Sequence, residues 1–132
     1  MSLTRPEASI LVAVNATRAA NGLQPLVVGP TLQRAARAHS ADMARNGYFA
    51  HGAFSQRLAS FGVRSRTIGE NLAWGTGRFA AAQVVVSEWL ASPAHRANLL
   101  RPGFRRIGIG AAVGSAGGYH GARLITADFA GK

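Results

Sequence analysis

The sequence predicts an α+β fold, a largely antiparallel sheet covered by helices, and three observations lead there. Apolar residues recur at helical spacing in most segments before residue 100, strict alternation marks 107–111 and 124–129, and those two strands are joined as a hairpin.

Thr4-Arg5-Pro6-Glu7 has the pattern of a capping box with proline inside it. Ile10, Leu11, Val14 and the methyl group of Thr17 follow at helical spacing until Asn21-Gly22, which predicts a first helix over residues 5–20. Leu23-Gln24-Pro25-Leu26 is an extended connector, because a residue before proline avoids helical angles. Gly29-Pro30 opens a second helix with the stripe Leu32, Ala35, Ala36, His39, Met43 and Ala44, closed by Asn46-Gly47. His39 lies on its core side and reads as a packed, hydrogen-bonded helix histidine.

Tyr48-Phe49-Ala50-His51-Gly52 is a short aromatic segment whose glycine predicts a bend, with His51 near a rim or cavity. Phe54 to Phe61 is a short helix with Ser55 as its cap, ended by Gly62. In Thr67 to Gly75 the apolar Ile68, Leu72 and Trp74 fall on even positions, and so does Glu70. A carboxylate on the buried side of a strand needs partners, since burial unpaired costs several kcal/mol or forces protonation. A third long helix starts at Thr76 or Gly77 and runs through Phe79, Ala82, Val86, Trp89 and Leu90, with Val84 and Val85 making its other flank apolar. Glu88 sits on that flank, either as a surface acid paired with an arginine or as a site acid.

Ser92 is a favoured N-cap and Pro93 is pre-set for the first helical position, so His95 falls at the third position of a new helix. The positive end of the helix dipole disfavours the imidazolium there, leaving a neutral ring able to take a proton or ligate a metal. Arg101-Pro102-Gly103 is a turn. The glycine-rich Gly114 to Gly121 reads as a hairpin loop carrying an exposed His120; it lacks the strand-to-helix context of a nucleotide loop.

The 132 residues suit one domain, and 48% hydrophobic residues supply a core. No apolar run is long enough to span a membrane. Cysteine is absent, which excludes a thiol nucleophile, a thiolate metal site and disulfides. The net charge is +10, from 15 basic residues of which Lys132 is the only lysine. The arginines are scattered, with tight pairs only at Arg64/Arg66 and Arg105/Arg106 and no basic stripe with interleaved aromatics, so nucleic acid is not the expected partner. Adhesion to acidic polymers of a cell surface is a better use of the charge.

His51, Glu70 and His95 stand at element edges, beside a glycine, on a strand and at a helix start. Two imidazoles and a carboxylate can hold a divalent metal with an open position, or supply an acid and a base. Their spacing is not a metal signature, and HExxH is absent.

The chain resembles the CAP superfamily (cysteine-rich secretory protein, antigen 5 and pathogenesis-related-1), in its short cysteine-free, SCP-like bacterial branch. The residues that carry the resemblance are Asn15 to Arg18 with Gly22 to Leu26, Ala35 to Ala44, Tyr48 to His51, Gly69 to Ala73, Trp89 to Leu100 and Phe104 to Gly110. It covers residues 8–130, with residues 1–7 as an N-terminal extension and helix cap and 8–132 as the single domain. The resemblance implies a three-layer α-β-α sandwich around a mainly antiparallel sheet, with a central cleft. Two histidines and two acids line that cleft and bind zinc or another divalent ion in some members. His51, Glu70 and His95 match three of these positions; Ser92 stands at the fourth, and Glu88 is a displaced substitute. Thr126-Ala127-Asp128-Phe129 also lacks the glutamine that many relatives carry before the acid.

The expected function is therefore a secreted or cell-envelope binding module, a monomer that takes a small-molecule, lipid, peptide or cell-wall ligand. It requires no cofactor, and His51 and His95 are the candidate ligands for a zinc or other divalent ion. The alternative is a peptide or ester hydrolase using Glu70 as base, with His51 and His95 holding a metal or polarising water. No activated nucleophile supports it: Ser92 is explained as a cap and Ser40 as a helix residue beside His39. Arg96 and Asn98 are expected to brace neighbouring backbone.

Overall fold

A computed structural model describes residues 2–132. Thr4 caps α1 (Arg5–Ala20) through the reciprocal box its sequence predicts: the Glu7 amide donates to Thr4 Oγ1 at 3.3 Å and the Thr4 amide to Glu7 Oε1 at 2.8 Å. The connector after α1 ends in a short strand that sequence periodicity did not indicate, β1 (Val27–Val28). Two residues are too few to alternate visibly; parallel pairing with Arg106 and Ile107 defines the strand. α2 (Pro30–Asn46) follows, closed by Gly47 in the left-handed region at φ 67°.

α3 (Phe54–Ser60) differs from expectation at its start: Ala53 is the cap and Ser55 lies inside the helix. β2 (Ile68–Gly75) is as expected. The long third helix is broken in two, a 3-10 turn (Gly77–Ala80) and α4 (Ala82–Ala91), because Gly77 sits at φ 54° and Ala81 is extended at ψ 142°. Neither angle continues a right-handed helix. α5 (Pro93–Leu99) begins where Ser92-Pro93 predicts. β3 (Arg106–Ala116) and β4 (Tyr119–Ala130) run on through the stretch expected to be a loop. Gly117 and Gly118 both take positive φ (56° and 82°), the requirement of a two-residue hairpin turn, so a long loop is unnecessary.

The sheet order is β1-β3-β4-β2, antiparallel except for the β1–β3 pair. One face packs Ile107, Ile109, Ile125, Ala127 and Phe129 against Ile10 and Val14 of α1, Val86 and Trp89 of α4 and Leu99 of α5. The other carries Leu72 and Leu124 under Met43 of α2, and Ala130 under Leu32 of α2 and Leu58 of α3. The result is the three-layer α-β-α sandwich.

α2 approaches β3 closely because Gly108 and Gly110 present no side chain. A Cβ on Gly108 would lie 2.1 Å from the Leu32 carbonyl carbon, and one on Gly110 would lie 2.2 Å from the Ala36 oxygen. Beyond the end of β1, Gln33 of α2 takes the place of a strand: its side chain donates to Ile109 O at 2.6 Å and accepts from the Ile109 amide at 2.9 Å. Arg18, fully buried, donates to the carbonyls of Gln24, Leu99, Arg101 and Phe104 and so closes the C-terminal end of α5.

Candidate functional site

Even-numbered residues of β2 and β4 face the α2–α3 layer, which puts Glu70 and Asp128 on one side of the sheet as direct cross-strand partners. Side chains so paired stand about 5 Å apart at Cβ. Both carboxyls are buried, Asp128 completely. The positive charge comes from α3: Leu58 anchors that helix in the core, and the preceding Arg57 reaches down to the strands. Its Nη1 donates to Glu70 Oε2 at 2.8 Å and its Nη2 to Glu70 Oε1 at 3.0 Å, a bidentate fork. Nη2 also donates to the His51 carbonyl at 2.8 Å, and Nη1 lies 3.7 Å from Asp128 Oδ2.

Gly52, at φ 61°, turns the chain so that His51 meets the same carboxylate, Nδ1 donating to Glu70 Oε1 at 2.8 Å. A carboxylate only accepts, so Nδ1 carries a proton and Nε2 is the lone-pair nitrogen of the neutral ring.

Two acids and one guanidinium cannot all stay charged cheaply in a buried place. With both carboxyls ionised, neither Asp128 oxygen has a hydrogen-bond partner. A proton on Asp128 turns it into a donor to Glu70. Accordingly burial, and then the Glu70 carboxylate, push the Asp128 pKa well above the usual carboxylate range. For Glu70, burial alone would raise the pKa; hydrogen bonds from Asp128, Arg57 and His51 outweigh it and hold the group below its ordinary value. The site is one proton shared by two carboxyls beneath an arginine, and the pair titrates as a unit.

The protonated Asp128 fixes the sign of a pH effect. Between 3.8, its ordinary value, and its raised native pKa the folded chain binds more protons than the unfolded one, so Asp128 makes stability fall as pH rises through that window. Asp128→Asn keeps the shape and a donor to Glu70 and removes the titration. We expect its thermal midpoint to lose the alkaline decline of the wild type, measured by circular dichroism from about pH 5 to about pH 9. A decline of equal slope in the variant assigns it elsewhere. His39 and His95 act at the other end: burial, then Arg57 for His39 and His51 for His95, lowers both pKa values from 6.5, so their stability is lost as pH falls below that value.

Above this pair opens a cleft of about 570 Å³ lined by His39 and Asp42 of α2, by Tyr48 and His51 of the connecting segment, and by Gln56 and Arg57 of α3. His39 is packed as expected, its Nε2–H donating to the Ala50 carbonyl at 2.8 Å. The Tyr48 hydroxyl donates to Asp42, and burial, then this hydrogen bond, push the Tyr48 pKa up to about 12.

The remaining expected residues lie apart from the pair. His95 Nδ1 and Ser92 Oγ are 2.9 Å apart, so Ser92 starts α5 but spends its hydroxyl on the imidazole, with no side-chain cap bond. His95 shares no hydrogen bond with Glu70 or His51, although it is near enough for His51 to lower its pKa. Backbone links the two: Asn71 Nδ2 donates to the His95 carbonyl at 3.1 Å, and Asn98 Nδ2 to the Glu70 carbonyl at 3.2 Å. Asn98 thus braces as expected, whereas Arg96 is exposed. Glu88 is an exposed residue of α4 outside the cleft lining, with no ion pair among the described residues. Asp128 and Arg57 were not among the expected site residues.

The residues present do not fit a resident divalent ion. Both Glu70 oxygens are taken by His51 and by a guanidinium that already supplies the positive charge. Among the described residues no three His, Cys, Asp or Glu side chains form a group able to hold a metal.

Mixed α+β architecture of this order, with a paired His and Glu beneath a polar cleft, defines the class, and comparison identifies the family. The family model of CAP, the cysteine-rich secretory protein family, matches residues 11–129, and the chain belongs to that family. It is 38% identical over 114 residues to YkwD of Bacillus subtilis, covering 83% of this chain and 43% of that protein. An extracellular SCP-domain protein of Bacillus anthracis superposes with a TM-score of 0.80 at 27% identity, over all of this chain and 45% of that one. An outer surface protein of Borrelia burgdorferi gives 0.84 at 19% identity, over all of this chain and 96% of that one, a likeness of fold. The chain spans less than half the length of the curated relatives it matches. No helix among the described residues is long and apolar enough to cross a membrane.

Proposed function

We propose that this CAP domain works outside the cell or at its envelope and captures a polar ligand, a peptide or a cell-wall fragment, in the cleft over His51 and Arg57. The observation that carries the reading is the state of Glu70. Glu70, the base that the hydrolase reading assigns, has both oxygens engaged, one by His51 and both by Arg57, and its pKa is held low. A general base must reach its proton with a free lone pair and a pKa near the working pH. The cleft lining suits recognition better: His39, Asp42, Tyr48, Gln56 and Arg57 offer donors and acceptors at fixed places. The SCP-domain protein of Bacillus anthracis is extracellular, which supports the location.

The test is calorimetric titration with muramidase-released peptidoglycan fragments and with short peptides, comparing wild type with Tyr48→Phe and with the His51→Ala/His95→Ala double variant. Binding that both variants weaken at least about tenfold, with ligand recovered uncleaved by mass spectrometry, is the expected result. Cleaved product returns the hydrolase. Undiminished binding in the double variant moves the ligand off the cleft. Zinc titrated into the wild type is expected to give no saturable heat at micromolar concentration.

A further inference from the structure

The basic residues are not evenly spread once the chain is folded. Backbone bonds gather three segments at the end of the sheet where β2 and β3 begin and β4 finishes. The Arg105 amide donates to Ala130 O at 2.9 Å, the Gly131 amide to Thr67 O at 2.8 Å, and the Phe104 amide to Arg101 O at 3.2 Å. Arg106 faces Ala130 across the β3–β4 ladder, and Ala130 faces Ile68 across the other. This arrangement brings the segments that carry Arg64, Arg66, Arg101, Arg105, Arg106 and Lys132 to one end of the sheet, with Arg105 and Arg106 on its opposite faces and all six side chains exposed.

None of them has a carboxylate partner among the described residues, and the five acids explain why. Glu7 is paired with Arg37 at the far end of α1, roughly 16 Å along the helix from Arg18. Asp42 is bound by Tyr48 in the cleft, and Glu70 and Asp128 are buried around Arg57. Glu88 is on α4. Behind the cluster lies the buried cation Arg18, whose pKa is lowered by burial and then by Arg105, so like charges already crowd each other there.

We propose that this basic end of the sheet docks a flexible phosphodiester polyanion without bases, such as a glycerol-phosphate polymer. Guanidinium forks pair two phosphate oxygens at once, and five of the six cations are arginines. They project from separate segments, which suits a chain that bends from one to the next. Nucleic acid fits less well: the one aromatic of these segments, Phe104, is fully buried and stacked on Phe129, so no ring is offered to a base. A bilayer also fits less well, since of the exposed large apolar residues only Val27, the β1 partner of Arg106, lies at this end.

The test compares two triple variants with the same loss of charge. Arg64→Ala/Arg66→Ala/Arg106→Ala removes half the cluster, while Arg5→Ala/Arg45→Ala/Arg78→Ala removes exposed arginines elsewhere. None of the six substituted side chains makes a hydrogen bond or ion pair among the described residues, so both triples should fold, and circular dichroism verifies it. Binding of soluble poly(glycerol phosphate) is measured by fluorescence anisotropy at several salt concentrations, beside duplex DNA and phosphatidylglycerol-containing vesicles. The cluster triple is expected to lose at least about tenfold in affinity at low salt and about 2 from the slope of log K against log salt, the other triple about twofold at most. Equal losses in both triples reduce the effect to net charge and overturn the proposal. So does tighter binding to DNA, binding confined to vesicles, or no binding to the polymer at low salt.

Discussion

Arg57→Met should lower the stability of the domain by about 3–5 kcal/mol at neutral pH, a fall of about 10 °C or more in melting temperature. The side chain lost is a modest piece of surface; the penalty comes from what it leaves behind. Glu70 keeps His51 on one oxygen but loses the fork that spans both, and Asp128 loses the one cation paired with it among the described residues. Two buried carboxyls then face each other across the β2–β4 ladder. Protonation of Glu70 is the cheapest escape, so its pKa should rise and the cost of the substitution should shrink in acid. Urea unfolding at about pH 5 and at about pH 7.5 measures this, and Arg57→Met/Glu70→Gln should recover much of the loss at the higher pH. A cost below about 1 kcal/mol with no pH dependence would mean that the guanidinium is not what holds the carboxyl pair.

Gly108→Ala is the second large effect, although it adds one methyl group. The new Cβ would lie 2.1 Å from the Leu32 carbonyl carbon and 2.5 Å from the Gln33 amide nitrogen, and backbone cannot rotate aside as a side chain can. α2 must move off the sheet, taking with it the Gln33 pairing to Ile109 and the Ser40 bonds to Gly110 and Thr126. We expect a loss of about 3 kcal/mol or more, or no soluble folded protein. Gly103→Ala is the matched control: a Cβ there meets nothing within 4 Å, so stability should stay within about 0.5 kcal/mol of wild type.

How far the sequence carried depended on whether a signal was local. Helix ends marked by a cap and a glycine, as in α1 and α2, were legible because one turn of chain decides them. The break at Ala81 was not, since an alanine within an apolar helical stripe looks the same whether its ψ is helical or extended. The hairpin was found at the wrong size for the same reason: a glycine-rich tip reads as slack, although Gly117 and Gly118 need only a single tight turn. In the site, His51 and Glu70 were readable, one from the glycine beside it and the other as an acid on the apolar face of a strand. Asp128 obeys the rule that exposed Glu70, following Leu124 and Thr126 on the even face of β4; consistent use of the alternation would have found it. Arg57 had no such signal. It is one of many arginines, and only packing of the neighbouring Leu58 decides that it points inward. His95 was placed at the right helical position, yet its bond to Ser92 depends on rotamers that spacing does not specify.

The glycines of β3 have one more consequence, for the rate at which the interior exchanges with solvent. Where α2 lies on the sheet with no side chains between, amide hydrogens of the Leu32–Ala36 turn and of Gly108 to Gly110 can meet solvent deuterium only if the helix lifts away bodily. Their exchange should therefore follow global unfolding, the slowest in the molecule, and give its full opening free energy without denaturant. The Arg57 helix, seven residues long and flanked by Gly52 and Gly62 at positive φ, should exchange sooner and through smaller openings. One deuteration time course would then separate the fixed wall of the cleft from the wall that yields.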